Sequence, residues 1–533
     1  MSILARGLVL LLLATLLLQP ALGEAKGDIM QPFILTVQPI VVRGDDGLSP
    51  ASMAIPEELV DLAYQKAGVD FYFLEPLYYD NTEARDGLIN LDRIVIAARS
   101  AGVMRGHGEI VNMFFVNAVD GQKGPLGRGL MGGDITFIAL APNNKAGSAR
   151  AQEAFVIAHE VGHNLGLKHA VDDENVPNDL PNIQGDGPFE DRIDPEFSLN
   201  DYQVELVRRS PLVRPRIDIL SVSEGQQAIL DETFEPFFSN LQKREVEAFV
   251  GRQVELSNLD KIREFARQQF SSAVMPFSDA EAEQLRALTH ETVKTLSAFG
   301  YDRLANHPWR FVKVAPWLCG GFAYTRGNTI VLSQKHIDTL MSEPRQSKRL
   351  RVSGGLIVHE QMHSLQRSFP KKFESLNTKY WNFVKAEVEQ PASLVTHQVS
   401  NPDAPLAQWL IPGSSDKQFY WMRTLLRETT AHPIMGKDFV ERMFSVQKED
   451  GRYELIISKE GAPVQPEQSA FEAYAGSFPV TRGIDHPNEI AAYMFADVFR
   501  NTLSHKKQNY LDDLHDGQKE NAKQFLRWID QEM

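Results

Sequence analysis

The sequence predicts an α+β protein of two domains, each with a twisted mixed sheet packed on one long, histidine-bearing helix. The motif His-Glu-x-x-His occurs at 159–163 and again at 359–363. Segments rich in β-branched and aromatic residues precede each copy, and amphipathic helical segments surround both. The length of 533 residues also exceeds that of one ordinary domain.

The first domain is predicted to open with an extended apolar strand from Phe33 to Val42. A capping pattern that starts at Ser198 predicts its last helix. Between them, periodicity predicts a helix over 57–67, strands over 69–74, 110–117 and 135–140, and the motif helix over 152–166.

A domain boundary is expected near Pro211 and Pro215, where two prolines interrupt a helical pattern. The predicted domains are therefore 24–215 and 216–533. No internal repeat is apparent, because the two motifs lie in dissimilar sequence surroundings. The second domain is predicted to have a helical lead-in at about 234–300, strands over 309–314 and 328–333, a motif helix over 354–368, and a mostly helical C-terminal third.

The first motif has the residue types and spacing of a zinc site. On a helix, His159 and His163 lie about 40° apart around the axis, so both can face one ion. Glu160 can then take a proton from the attacking water as general base. Gly166 can adopt the positive φ that ends a helix, so His169 can turn back as a third ligand. A zinc hydrolase is therefore expected.

The complete pattern, His-Glu-x-x-His-x-x-Gly-x-x-His at 159–169, resembles that of the metzincin metallopeptidases. The resemblance implies peptide-bond hydrolysis, an exposed edge strand within 110–140 that pairs with extended substrate, and a methionine turn beneath the metal. No methionine occurs between His169 and Met275. Leu180, in a turn-rich stretch, is the preferred substitute, and Met275 after a long insertion is the rival.

The second motif lacks the downstream glycine and histidine, so its third ligand must come from elsewhere. The best candidate is Glu489, near the start of a later predicted helix that Asn488 can cap. Two histidines with a later glutamate resemble the gluzincin arrangement. That resemblance implies His359, His363 and Glu489 as zinc ligands and Glu360 as the general base.

Alternatives to Glu489 remain open. Its carboxylate could simply favour the dipole at the start of its helix, and Glu374 and His432 are weaker rivals. Further along the same predicted helix face, Tyr493 is a candidate stabiliser of the tetrahedral oxyanion. Asp497 is a candidate for orienting a metal ligand.

Composition constrains compartment and partners. Residues 1–23 have the charged start, apolar stretch and small-residue end of a secretory signal peptide, which predicts a secreted or periplasmic protein. The apolar stretch is short for a bilayer span, so no stable membrane insertion is expected, with an uncleaved anchor as the alternative. The net charge of −15 argues against a nucleic-acid partner. The single cysteine, Cys319, excludes an intramolecular disulfide.

The expected function is zinc-dependent hydrolysis of peptide bonds, with a polypeptide as partner and two Zn²⁺ ions as cofactors. The acidic residues of 172–174, Asp186 and Asp191 could hold Ca²⁺ or form a solvated loop. Two other functions stay open. One domain could cut while the other only binds substrate, or the whole chain could be a non-catalytic zinc-binding adhesion or inhibitor module. Glu160 and Glu360 favour catalysis, because a structural site needs only its ligands.

Overall fold

The computed structural model describes residues 31–106, 108–121, 124–140, 148–176, 181–185, 193–427, 433–504 and 510–532. The predicted signal peptide, residues 1–23, lies outside this part of the chain. Among the described residues, no helix is both long and apolar enough to cross a membrane.

The first sheet has seven strands: β1 (Phe33–Arg43), β2 (Val69–Phe73), β3 (Leu77–Asp80), β4 (Val111–Val116), β5 (Gly127–Gly129), β6 (Ile135–Ala139) and β7 (Val213–Pro215). Its main order is β2-β1-β4-β6-β5. β1, β4 and β6 run in parallel, whereas the edge strand β5 is antiparallel to β6. The strands predicted from the sequence are therefore confirmed, with small differences at their ends.

Helices cover both faces of this sheet. All six residues of β4 are buried, as expected for a parallel strand with helices on both sides. One core packs the helices at Glu57–Tyr64, Ser148–Asn164 and Asp201–Arg209 against one face of the sheet, and a second core packs the helix at Leu91–Ser100 against the other face. The described helices here are α1 (Glu57–Tyr64), α2 (Thr82–Arg85), α3 (Leu91–Ser100), α4 (Ser148–Asn164) and α5 (Asp201–Arg209).

The second sheet has five strands: β8 (Ile217–Ile219), β9 (Val274–Met275), β10 (Trp309–Val314), β11 (Tyr324–Arg326) and β12 (Thr329–Ser333). The predicted helical lead-in is confirmed by helices at Lys243–Val250, Leu259–Ser272 and Asp279–Ala298. The described helices that precede or follow these strands are α6 (Val222–Ile229), α7 (Lys243–Val250), α8 (Leu259–Ser272), α9 (Asp279–Ala298), α10 (Asp302–Asn306), α11 (Gln334–Ser342), α12 (Gln346–Arg349) and α13 (Gly355–Ser368).

The two sheets share one strand arrangement that the sequence did not reveal. In the first, β1, β4 and β6 are parallel and β5 forms an antiparallel edge. In the second, β8, β10 and β12 are parallel and β11 forms an antiparallel edge. Each antiparallel edge strand precedes its partner in the chain, and a motif helix follows, α4 in one case and α13 in the other. The sequence hides this likeness because the connections differ in length and composition.

The prediction of a mostly helical C-terminal third is wrong for residues 384–455. Five antiparallel strands form a third sheet there. Burial alternates over residues 418–421 of the segment Gln418–Leu426 and is nearly continuous over 422–426. Met422 joins one hydrophobic core, whereas Phe419 and Trp421 join another, so neighbouring parts of the chain cover both faces of this strand. The strands are β13 (Val384–Lys385), β14 (Trp409–Pro412), β15 (Gln418–Leu426), β16 (Phe439–Glu449) and β17 (Arg452–Leu455). The described α-helices between residues 370 and 532 are α14 (Pro370–Ser375), α15 (Ala392–Val395), α16 (Gln468–Ala475), α17 (Pro487–Leu503) and α18 (Asp516–Glu532).

The chain passes from the first sheet to the second at Arg216. β7 pairs with β1, and β8, which starts at the next residue after Arg216, pairs with β10. The buried Arg216 guanidinium donates to Asp70 Oδ2 at 2.5 Å and to the Asn306 carbonyl at 2.8 Å. Arg216 therefore ties β2 of the first sheet to the segment that precedes β10. The domain limits 24–215 and 216–533 stay a prediction.

Candidate metal centres

Helix α4 brings the first three predicted ligands together. His159 and His163 lie one turn apart on it, and Gly166, at φ +88°, turns the chain sharply after its end. His169 then returns, with its ring centroid 4.8 Å from that of His163 and 5.2 Å from that of His159. One nitrogen of each ring lies within 4.8 Å of the others. This spacing is suited to one ion shared by three imidazoles.

The hydrogen bonds of the first two histidines suit a metal site. His159 Nδ1 lies 2.7 Å from the Ile183 carbonyl, and His163 Nδ1 lies 2.8 Å from the Leu167 carbonyl. A neutral ring that donates from Nδ1 keeps the lone pair of Nε2 free for a metal. Burial lowers the pKa of His163, which favours that neutral form. The donor set therefore fits a zinc ion.

The side chain of Glu160 extends from helix α4 to the edge strand β5. The backbone N–H of Gly129 donates to Glu160 Oε2 at 2.6 Å. Burial raises the pKa of Glu160 to about 7, although the Gly129 bond and the charge of Arg128 oppose the shift. A carboxyl with this pKa suits a general base near neutral pH.

Two glycines that the sequence analysis missed allow β5 to approach α4 closely. A Cβ on Gly127 would lie 2.5 Å from Glu160 Cγ, and one on Gly129 would lie 1.9 Å from the Glu160 carbonyl oxygen. Neither distance is possible for a real side chain. A Cβ at position 129 would clash with backbone, so that position requires glycine, whereas a side chain at position 127 would displace the Glu160 carboxylate. The Gly-Arg-Gly sequence just before a predicted strand was the available signal.

Residues 181–185 form hydrogen bonds that hold His159 in place. Besides the Ile183 carbonyl, Gln184 contributes a bond from its amide Nε2 to the His159 carbonyl at 2.8 Å. The segment is itself held by Asn182, whose amide exchanges hydrogen bonds with Gln203 of α5 at 2.6 and 3.1 Å. Leu180, the predicted substitute for the methionine, lies outside the described residues.

Two expectations about this region need correction. Met275, the rival for the methionine turn, lies in β9 and pairs with Lys313. It is therefore part of the second sheet. The capping box of α5 is formed by Asn200 and Gln203 rather than by Ser198. The Asn200 side chain accepts from the Gln203 N–H at 2.9 Å, and the Gln203 amide oxygen accepts from the Asn200 N–H at 3.0 Å.

The second centre joins helices α13 and α17. His359 and His363 lie one turn apart on α13, and Glu489 lies in the first turn of α17. Their ligand atoms all lie within 4.8 Å of one another. The two Nε2 atoms are 3.2 Å apart, and the Glu489 oxygens lie 3.6 Å from His359 Nε2 and 3.7 Å from His363 Nε2. Buried Ala491 and Ala492 allow α17 to pack closely on α13.

The surroundings of His363 also suit a metal. Gln366 Oε1 lies 2.9 Å from His363 Nδ1, and Gln366 Nε2 donates to the Asn488 carbonyl at 2.9 Å. The glutamine amide thus fixes the tautomer that leaves His363 Nε2 free. The predicted cap of α17 was wrong by two residues: His486 is the N-cap, and it accepts from the Asn488 N–H. Pro487 occupies the first helical position, where no N–H is needed.

Glu360 faces the edge strand β11. Thr325 Oγ1 lies 3.0 Å from Glu360 Oε2 and 2.9 Å from the Glu360 carbonyl oxygen, so its single proton is shared between these two acceptors. Burial, followed by the charges of Asp403 and Glu489, raises the pKa of Glu360 well above its usual range. A cation held by the neighbouring ligands would act in the opposite sense. Asp403 is a further carboxyl of this centre that the sequence did not indicate.

Of the remaining predicted residues, Tyr493 lies at the second centre, whereas Asp497 and Glu374 form ion pairs with other residues. The Tyr493 ring lies 4.3 Å from the ring of His359, at the second centre. Asp497 instead pairs with Arg500 at 2.9 Å, half-exposed. Glu374 is also half-exposed and pairs with Lys385 at 2.7 Å. His432, Asp186 and Asp191 lie outside the described residues.

The two centres differ in exposure. The His169 side chain is 52% exposed, so the first centre is open to solvent. At the second centre the side-chain exposures are 9% for His359, 0% for His363 and 6% for Glu489. Among the described residues, these two groups alone bring three such ligand atoms together. The described acidic residues 172–174 are not part of another such group.

Comparison with known proteins adds little beyond these centres. No family model matches the chain, and no curated protein does. A solved archaemetzincin from Methanopyrus kandleri is 16% identical, with a TM-score of 0.23, over 33% of this chain and 95% of that chain. The archaemetzincin of Archaeoglobus fulgidus, solved with malonate, is 17% identical, with a TM-score of 0.21, over 32% of this chain and 99% of that chain. Likenesses this weak support no conclusion about activity.

Proposed function

We propose that this protein is a zinc peptidase with two metal centres. The observation that carries the proposal is that each His-Glu-x-x-His helix converges with a third ligand, and the intervening glutamate lies beside an edge strand. His159, His163 and His169 would hold one zinc ion, and His359, His363 and Glu489 the other. A bound zinc ion supplies an acidic water at neutral pH and polarises a scissile carbonyl. Three protein ligands leave the open position that catalysis needs.

At the first centre, Glu160 is proposed to accept the proton of the attacking water and to return it to the leaving amine. Strand β5 would align an extended polypeptide through edge backbone groups other than the Gly129 N–H, which already bonds Glu160. Gly127 and Gly129 support this role, because they bring that edge against the helix that carries Glu160.

At the second centre, Glu360 is proposed as the base and Tyr493 as a donor to the developing oxyanion. The contact of Tyr493 with His359 supports its place at the reacting carbonyl. The two centres would belong to domains 24–215 and 216–533. Residues 1–23 would direct secretion or periplasmic export as a signal peptide. The acidic chain, at net charge −15, is not expected to bind nucleic acid.

The proposal is tested with Glu160→Gln, Glu360→Gln and the double variant. Glutamine keeps the shape of the side chain but cannot accept the proton. Because the metal ligands are unchanged, zinc content should stay near two ions per chain. Hydrolysis of casein should fall at least about 100-fold when the catalysing centre loses its base. We expect Glu160→Gln to have the larger effect, because its centre is the open one.

The outcomes separate the competing functions. Loss of casein hydrolysis in only one single variant would assign the cleavage of long polypeptides to that centre. The other centre would then bind substrate or act on smaller substrates. A double variant that keeps full activity, after contaminating protease is excluded, would reject the peptidase and favour a non-catalytic zinc-binding module. A chain that binds no zinc would reject both.

A further inference from the structure

Residues Asn401–Ala404, here called the strap, lie across the second centre. Asn401 Nδ2 donates to Glu489 Oε1 at 2.5 Å. Two residues later, Asp403 Oδ1 accepts from the backbone N–H of Thr325 at 2.5 Å. The strap closes on itself through the Ala404 N–H, which donates to the Asn401 carbonyl at 3.1 Å. It therefore touches both a proposed metal ligand and the edge strand β11.

The strap is fixed in place by helix α13. The Arg367 guanidinium, one turn after His363, donates to the carbonyls of Pro402 and Asp403 at 2.9 and 3.0 Å. The Arg367 side chain is 5% exposed and is itself paired with Glu235. A buried, charge-assisted clamp of this kind makes the strap part of the centre rather than a loose loop.

The bond from Thr325 to Asp403 occupies the position that an extended substrate would need. β11 is the edge of its sheet and pairs with β12 on one side only. The Thr325 N–H bonds Asp403 rather than β12, so it points outward from that edge. A polypeptide that adds to the edge must place a carbonyl on this N–H, where the Asp403 carboxylate already lies.

We propose that the strap is a specificity device, with Asp403 excluding extended polypeptides from the second centre. On this view the second centre takes only small ligands or chain ends, while polypeptides are cut at the first. The inference rests on the proposed zinc site of His359, His363 and Glu489. Asn401 has a positioning role, because it holds Glu489 from the strap.

The test isolates the second centre with His159→Ala, which removes a ligand of the first. The protein is loaded with Co²⁺, and its visible spectrum is titrated with acetohydroxamate and with an extended octapeptide hydroxamate. Acetohydroxamate should perturb the spectrum whether or not Asp403 is present. The peptide hydroxamate should bind at least about tenfold more tightly once Asp403→Ala is added, a change of about 1.4 kcal/mol.

Two matched variants serve as controls. Asp403→Asn keeps an oxygen that can accept from the Thr325 N–H, so the centre should stay closed to the peptide. Asp416→Ala removes a carboxylate from an exposed turn before β15 and should change neither titration. If Asp403→Ala does not fold, amide exchange in the unsubstituted protein decides. The Thr325 amide should be protected, and the peptide hydroxamate should leave its exchange unchanged.

The failures are distinguishable. A His159→Ala protein that binds no Co²⁺ overturns the metal assignment of the second centre and the strap proposal with it. Equal binding of the peptide hydroxamate with and without Asp403, in a protein that holds Co²⁺, overturns the strap alone. A Thr325 amide that exchanges freely does the same.

Discussion

At the scale of single residues, Gly129 sets the distance between β5 and helix α4. A methyl group there would lie 1.9 Å from the Glu160 carbonyl oxygen, which belongs to the backbone and cannot rotate away. We therefore expect Gly129→Ala to displace β5 and to break the N–H bond to the Glu160 carboxylate. The free energy of unfolding should fall by at least about 1–3 kcal/mol, and hydrolysis at the first centre should fall with it.

Urea denaturation and casein hydrolysis in a Glu360→Gln background measure the two effects, because that background leaves only the first centre active. Gly133→Ala is the matched control in the same β5–β6 connection. Its new methyl would lie 3.3 Å from Leu130 Cβ and 3.4 Å from the Leu130 carbonyl oxygen, contacts that a shift of a few tenths of an ångström relieves, so it should cost much less than Gly129→Ala. Similar behaviour of the two variants would contradict the role of Gly129.

A second residue-scale prediction concerns Glu489. Its carboxylate is buried and lies beside both histidines of α13, whereas the rival Glu374 is half-exposed and pairs with Lys385. Glu489→Ala should remove about one zinc equivalent per chain, and Glu374→Ala should remove none. Elemental analysis of protein purified without added metal decides between them. Retention of both equivalents by Glu489→Ala would contradict the ligand set.

Most site residues that the sequence predicted are tied to a local spacing, whereas Glu489 was reached through the resemblance to the gluzincin arrangement. His159, His163 and Gly166 follow from one helical turn and its end. Asp403 could not be found this way, because it reaches the second centre through Arg367, on a helix remote in sequence. The turn-like Asn-Pro-Asp sequence around it is common on protein surfaces.

At the scale of elements, α5 supports the first centre through one amide pair. Gln203 completes the capping box of α5 and also bonds Asn182, which holds the segment beneath His159. Replacing it by leucine removes the half of the capping box that its side chain makes and leaves the buried Asn182 amide without this partner. We expect Gln203→Leu to lower the free energy of unfolding by about 1–3 kcal/mol and to weaken zinc binding at the first centre.

The measurement is chelator competition in a Glu489→Ala background, where only the first centre should hold zinc. Ser278→Ala is the control, because it breaks a comparable capping box on α9 of the other half. That variant should lose about 1 kcal/mol of stability without a change in zinc affinity. Equal zinc affinity in Gln203→Leu would show that the segment beneath His159 does not depend on α5.

Elements with strong periodicity were predicted well, and those defined by tertiary pairing were not. The longer strands before each motif are mostly apolar, as in Ile135–Ala139 and Thr329–Ser333, so both their type and their place were evident. β13 to β17 were missed because their apolar residues are mixed with charged ones, as in Phe439–Glu449. Whether such a segment forms a strand depends on the strands it packs against more than on its own sequence pattern.

At the scale of the whole molecule, a buried polar chain joins the two sheets. The hydroxyl of Tyr72, on β2, lies 2.7 Å from His307 Nδ1, and Ser364 Oγ, on α13, lies 2.6 Å from His307 Nε2. His307 is 1% exposed. One imidazole therefore connects the first sheet to the helix of the second centre. This contact links sequence-distant elements, which explains why no local pattern predicted it.

The buried His307 makes the stability of the folded protein sensitive to acid. Burial lowers the pKa of His307 from 6.5 to about 3. Between those pH values the unfolded chain binds a proton at this residue and the folded chain does not, so stability is lost as pH falls. The slope from one such group is about 1.4 kcal/mol per pH unit below about pH 6.5. Above that pH the contribution is constant.

His307→Gln tests this prediction, because its amide can bond both hydroxyl groups but does not titrate. Urea denaturation of the metal-free wild type and variant at pH 7 and pH 5 gives the comparison. The other histidines titrate in both proteins, so their effects cancel in the difference. The wild type should lose about 2 kcal/mol more than the variant over this interval. Parallel losses would mean that His307 is accessible to protons in the folded state and that the two sheets are not sealed around it.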